Sequence, residues 1–348
     1  MKKLKQRIGI LLELSVLLLL LMIIWQYDLV KYGIMQGKGQ LQIVWNAVPI
    51  EAAIRDKNFP DSLKEKLLLV DEIKGFAIKE LGLKNSTNYT TVYDQHGKSL
   101  LMVLTASDAY RLNPFQWHFP FLGDVPYKGF FDFNKAKKEA RELKEKGYDV
   151  DLGEVSAWST LGWFKDPILS GMLEHSEGYL ANVVIHEMTH ATLYVKNNVE
   201  FNENLANFIG SKGAEQFLIS KYGNDSKELI YYKHKNFDDS LVSDYLVNGC
   251  KRLEQLYSYF KPETSTQEKD TWKHDMIRSI LVGIKELPVN DTAIYHRLSR
   301  RKTPQNNAWF LQFRRYNAKQ SMFEEEFHSN YHDDFKNYLP HLKKVYGG

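Results

Sequence analysis

Apolar positions recur along this chain mostly at three- and four-residue spacing, with short unbroken apolar runs between. Leu63, Leu67, Val70, Phe76, Ala77 and Leu81 share a helical face. Ser62 and Glu65 read as the capping box of that helix, and Gly82 as its end. Leu100 to Leu104 reads as a buried strand, Pro126 to Phe131 as another, and Asn134 to Lys146 as a charged surface helix closed by Gly147. Tyr32 to Gln40 is glycine-rich and reads as the approach to a short helix through Leu41 to Val48. Beyond Gly210, helical patterns run from Lys212 to Lys261, Ser265 to Leu287 and Gln305 to Leu339. The expected fold class is α+β and mostly helical.

One stretch has no periodicity. Lys2, Lys3, Lys5 and Arg7 precede an apolar run from Ile8 to Trp25, broken by little besides Glu13. That run rises about 27 Å as a helix, close to the thickness of a bilayer core. The basic flank predicts a cytoplasmic N-terminus, and no small-x-small cleavage site follows. The run therefore reads as an uncleaved signal anchor, with a removed signal peptide as the alternative. The expected organisation is a transmembrane anchor over residues 1–30 and a catalytic domain over 31–348. Within that domain a β-containing part extends to about residue 178, and a helical, metal-binding part follows. This predicts a single-pass protein of the cell membrane with its catalytic domain on the extracytoplasmic, periplasmic side.

Composition narrows the partners. The net charge is +3, and no basic stretch is interleaved with aromatics, so nucleic acid is excluded as the expected partner. A single cysteine, Cys250, permits no internal disulfide. No repeat or Pro-rich linker divides the chain into modules.

The most specific chemistry lies in Val183-Val184-Ile185-His186-Glu187-Met188-Thr189-His190, a His-Glu-x-x-His pattern. From Leu180 to Tyr194 the only charged or titratable residues, apart from the terminal Tyr194, belong to the motif. On a helix, positions i and i+4 share a face, so His186 and His190 can bind one metal ion. Glu187 beside them can hold and deprotonate a water. Unpartnered, such groups would be costly to bury, and a metal removes that cost.

A catalytic zinc takes a third protein ligand. Lys196 and Leu193 stand where one subclass needs His and Gly, so that subclass is excluded. Downstream, Asn202 reads as the N-cap of a following helix, which places Glu203 in its first turn facing back toward the histidines. Glu203 is preferred to Glu200, which falls in the loop, because ligands on rigid elements hold geometry better. Asn207, one turn on, is a candidate supporting residue. Upstream, Ser159, Thr160, Leu161 and Gly162 read as a cleft edge for peptide substrate, or as a structural turn with two core tryptophans. Glu174 is a candidate anchor for a substrate's free amine. Tyr231, Tyr232, His234, Tyr245, Tyr295, His296 and Tyr316 are candidate oxyanion donors. Asn306 and Asn307 read as a helix cap in preference to substrate contacts.

Three segments carry a wider likeness: Trp158 to Pro167, Ile185 to His190, and Phe201-Asn202-Glu203-Asn204-Leu205-Ala206. With Gly39-Gln40, Trp117 to Pro120, Val125 to Phe131 and Asn306-Asn307-Ala308, they span nearly the whole chain. On these residues the chain resembles the bacterial membrane-associated aminopeptidase family, zinc metallopeptidases of gluzincin type. The resemblance implies a zincin-like fold, one Zn2+ held by His186, His190 and Glu203, Glu187 as general base, and a peptide or protein substrate. Many members carry a lipid-modified Cys after the leader; this chain has none there, which excludes that lipidation. Aminopeptidase action, membrane-near endopeptidase action and a non-catalytic zinc-stabilised binding role all remain open at this point.

Overall fold

The computed structural model describes residues 13, 26–119, 123–154, 165–196, 198–301, 304–315 and 320–346. In chain order its elements are α1 (Tyr27–Asn46), β1 (Val48–Pro49), α2 (Ile50–Arg55), α3 (Asp61–Lys79), β2 (Thr91–Tyr93), β3 (Met102–Asp108), β4 (Trp117–Phe119), β5 (Gly123–Val125), β6 (Lys128–Phe130), α4 (Phe133–Glu145) and β7 (Tyr148–Glu154). There follow β8 (Ile168–Leu169), α5 (Ser170–Leu173), α6 (Glu177–Thr192), α7 (Val199–Tyr222), α8 (Lys227–Ser258), α9 (Thr266–Gly283), α10 (Ile294–Ser299), α11 (Asn307–Arg315), α12 (Gln320–Tyr331) and α13 (Phe335–Tyr346). The chain is mostly helical α+β.

The transmembrane helix and the single-pass membrane placement expected from sequence are corrected. Among the described residues no helix is long and apolar enough to cross a membrane. Of the run from Ile8 to Trp25, only Glu13 is described, as helical and exposed; the rest lies outside the described residues. The first long helix, α1, carries Gln36, Lys38, Gln40 and Gln42 and turns part of its polar side onto protein. Tyr32 and Gln36 both donate to the Gly129 carbonyl, at 2.9 and 3.0 Å. This helix also runs straight through the glycines read as a lead-in. At Gly39 an added Cβ would sit 2.3 Å from the Phe131 ring, so that glycine serves a close approach and not a break.

β2 joins β1 antiparallel and β8 parallel, while β3 is the centre of an antiparallel sheet in the order β6-β3-β7. β4 and β5 form a separate hairpin. Alternation is clear in β3, where Met102, Leu104 and Ala106 face a core shared with Ala136, Ala140 and Leu143 of α4. Asp132 caps α4 by accepting from the Asn134 and Lys135 amides. The capping box read at Ser62 does not form, because α3 begins at Asp61 behind Pro60 without a side-chain cap. Gly82, with φ of 73°, turns the chain after α3, and the Leu83 amide reaches back to the Ala77 carbonyl.

The largest core packs α3, α6 and α7 against α12 and α13, through residues such as Val70, Ile185, Leu205, Phe208 and Tyr338. A second core holds α8, α9 and α11 together around Leu246, Ile280 and Phe310. A buried polar network joins that core to the β3–β7 sheet. Lys273 donates to Asp149 at 2.6 Å, Asp149 also accepts from the Asn307 amide, and Tyr257 donates to the Asn307 side chain. The Asn307 side-chain amide in turn donates to the carbonyls of Asp108 and Ala109. Asn306 accepts from the Trp309 amide, so the pair serves as helix cap and sheet clamp.

Candidate metal centre

Ser176 starts α6 by accepting from the Tyr179 amide, and Glu177 sits in the first turn where a helix favours negative charge. Leu180, Ala181, Val184, Ile185 and Met188 fill the core, each of these side chains larger than alanine contributing about 1.5–3 kcal/mol of burial. The hydroxyls of Thr189 and Thr192 bond back to the carbonyls of Ile185 and Met188, so this buried face leaves them satisfied. The helix stops at Leu193, which is extended.

α7 returns along α6, and the two touch closely at Gly210. A Cβ there would lie 3.0 Å from the Asn182 carbonyl oxygen and 3.1 Å from the His186 Cβ. Asn198, not Asn202, caps α7, so the helix begins almost one turn earlier than the sequence suggested. Glu203 consequently sits in the second turn of α7, and Glu200, the rival ligand, in the first.

His186, His190 and Glu203 meet. The two imidazole Nε2 atoms are 3.1 Å apart, and Glu203 reaches them with one oxygen each, at 3.5 Å to His186 and 3.4 Å to His190. Their ligand atoms all lie within 4.8 Å of one another. Zinc–ligand bonds of about 2.0–2.1 Å in a tetrahedron imply ligand–ligand edges of about 3.3–3.4 Å. The observed separations of 3.1–3.5 Å are near that size, the two from Glu203 ending on different carboxylate oxygens. The donor set, two imidazoles and one carboxylate, also suits zinc and leaves one tetrahedral position for water or substrate.

Electrostatics favour the ligating forms. Burial, and then the neighbouring His186, push the His190 imidazole down to about 4, against the pull of Glu203, so it is neutral near pH 7. Contact with His186 holds the Glu203 carboxyl below its ordinary value despite partial burial. His190 Nδ1 is buried, and among the described residues no hydrogen-bond partner faces it.

Glu187 is half-buried on α6 beside the cluster. Its charge reaches Tyr89, a residue the sequence did not flag. Tyr89 is fully buried in the left-handed region at φ 58°, and burial first, then Glu187 and Asp166, raise its hydroxyl well above the usual value. A bulky residue in that conformation leaves no mark in a single sequence.

The other candidates are dispersed. Ser159, Thr160, Leu161 and Gly162 lie outside the described residues. Glu174 is exposed in the turn between α5 and α6, where it borders a cavity of about 240 Å³ with Gln95, Ser99 and His175. Asn207 is half-buried one turn beyond Glu203, and among the described residues its amide bonds to neither imidazole. Tyr232 accepts from Asn182, one turn before His186, and donates to the Ser211 carbonyl. Tyr245 packs on Gly283 and Tyr295 under Lys285, both in the second core. Tyr231 is exposed, and Tyr316 lies outside the described residues.

A family model described as "Putative aminopeptidase" matches residues 31–347. The chain belongs to that family. The match extends from α1 to the end of α13, so the cluster on α6 and α7 lies well inside the region that defines this aminopeptidase-like family. No curated protein and no solved structure matches the chain, and a zincin-like fold is accordingly not shown.

Proposed function

We propose that this member of the family is a zinc-dependent aminopeptidase of gluzincin type. The carrying observation is the triangle of His186 Nε2, His190 Nε2 and the Glu203 carboxylate, with edges of 3.1, 3.4 and 3.5 Å. His186, His190 and Glu203 would hold the ion. When bound, zinc polarises the scissile carbonyl and lowers the pKa of its water toward about 7. Glu187 takes the proton from the attacking water and delivers it to the departing amine nitrogen. The low imidazole pKa of His190 keeps its ring in the electron-donating form through neutral pH. Selection of a free amino end rests on the family match, with Glu174 as a candidate anchor for the amine.

The test is Glu187→Gln in the full chain, assayed with peptides bearing free or blocked amino ends. Retained zinc with hydrolysis lost supports the reading, and cleavage of free-amine peptides alone supports the exopeptidase. Cleavage of blocked peptides replaces it with an endopeptidase. Unchanged hydrolysis in Glu187→Gln removes Glu187 as base.

A further inference from the structure

Between α6 and α7 the chain turns in few residues, and one buried side chain governs that turn. The Asn202 amide oxygen accepts from the Val195 N–H at 2.8 Å, and its amide nitrogen donates to the Val195 carbonyl, also at 2.8 Å. The side chain thus pairs with both the N–H and the carbonyl of one residue, as a neighbouring strand would. Asn202 is 1% exposed, so water cannot take over either bond. The segment it grips leaves α6 directly: Leu193 ends that helix, and the Thr192 hydroxyl accepts from the Lys84 amide, tying the same corner to the end of α3. The Asn202 backbone amide makes the first helical bond of α7, to the carbonyl of the cap residue Asn198 at 3.1 Å, so the residue that grips Val195 is itself fixed in the helix.

We propose that Asn202 is a positioning residue for the metal site: its two-point grip on Val195 sets the register of α7 against α6 and so places the adjacent Glu203 opposite His186 and His190. This rests on the zinc reading above. Glu203 cannot place itself. Its side chain is 47% exposed, and a flexible carboxylate with three torsions takes its position from the backbone that carries it. The Cα atoms of residues 202 and 203 are about 3.8 Å apart, so displacement of one carries the other. The edges of 3.5 and 3.4 Å from Glu203 to the histidines therefore depend on this turn. The chemistry is specific to Asn. Aspartate keeps the acceptor but turns an oxygen toward the Val195 carbonyl, glutamine sets the amide one methylene too far, and alanine loses both bonds.

The experiment measures zinc affinity by competition with a chromophoric chelator, and the absorption spectrum of the cobalt-substituted protein, in the full chain. Wild type, Asn202→Asp and Asn202→Ala are compared, with circular dichroism to establish that each is folded. The expected result is one zinc bound by wild type, affinity 10- to 100-fold weaker in both variants, and a changed cobalt spectrum. A purely structural asparagine would lower the melting temperature and leave the cobalt spectrum alone. Should Asn202→Ala fail to fold, Asn202→Asp, which conserves size and one bond, decides. Wild-type zinc affinity and an unaltered cobalt spectrum in the folded variants overturn the role of Asn202 and leave the metal reading standing. Failure of wild type itself to bind zinc overturns both.

Discussion

Gly210 offers a sharp test of how the two helices hold the cluster. In an ordinary helix interior, Gly→Ala stabilises by about 1 kcal/mol through backbone propensity. Here the new methyl would meet the Asn182 side-chain oxygen at 2.7 Å, the Asn182 carbonyl at 3.0 Å and the His186 Cβ at 3.1 Å. The Asn182 side chain is held by Tyr232 and the other two atoms belong to α6 itself, so none can swing aside freely. Contacts become comfortable near about 3.5 Å, so α7 must retreat by roughly 0.4 Å from the His186 Cβ and by up to roughly 0.8 Å from the Asn182 side-chain oxygen. Overpacking of this kind costs about 1–3 kcal/mol, which outweighs the propensity gain. Glu203 lies two turns back on the same face of α7, and its edges to the histidines lengthen with the retreat. The expected outcome for Gly210→Ala is a net loss of about 1 kcal/mol, a melting temperature lower by a few degrees, and zinc affinity reduced about tenfold. Thermal melts and chelator competition read both. A variant that melts higher than wild type and binds zinc equally well refutes the close-approach argument.

In metal-free protein, acid should act through His190. Its folded value of about 4 lies below the ordinary 6.5, so between those values the unfolded chain binds the extra proton and stability falls as the pH drops. Glu203 pulls the same way, its contribution being lost as the pH falls through its lowered folded value. The His190 part is at most about 3 kcal/mol. Melts in chelator from pH 7 to 4 should show wild type losing stability relative to His190→Gln; parallel curves contradict the buried neutral imidazole. Lys273→Met removes the charge partner of the Asp149 carboxylate, which is 16% exposed and keeps the Asn307 amide bond, and should cost about 3–5 kcal/mol in urea melts. A cost below about 1 kcal/mol means the network between the sheet and the second core carries little. Gly178→Ala drives a methyl to within 2.4 Å of the Tyr232 ring and should destabilise measurably, again against helix propensity. A gain in melting temperature there shows that Tyr232 moves away freely.

The meeting of His186, His190 and Glu203 was far easier to read from sequence than the frame around it. His186 and His190 are locked four apart on a helix, and that spacing alone brings their Nε2 atoms together. Glu203 was legible because a carboxylate returning on the next helix has few positions that face the histidines. The start of that helix was misplaced because Asn202 resembles a cap, whereas its amide is spent on Val195 and Asn198 caps instead. Gly39 looked like a break and proved a packing site against Phe131, a distinction set by a residue far along the chain. Ser62 and Glu65 fit a capping pattern, yet Pro60 and Asp61 start the helix first. The apolar run from Ile8 to Trp25 suggested a membrane span, and no such span is found among the described residues. Tyr89 beside Glu187 had no sequence signal, because its position depends on a strained turn and on Asp166, whose carbonyl accepts from the Tyr89 amide.

The central claim is that three side chains on α6 and α7 converge on one divalent ion. Anomalous diffraction from crystals of the full chain, recorded above and below the zinc edge, tests it most directly. The account predicts a single peak about 2.1 Å from His186 Nε2, His190 Nε2 and a Glu203 oxygen. A peak held by other residues contradicts it, as does the absence of any peak between two facing imidazoles in zinc-soaked crystals.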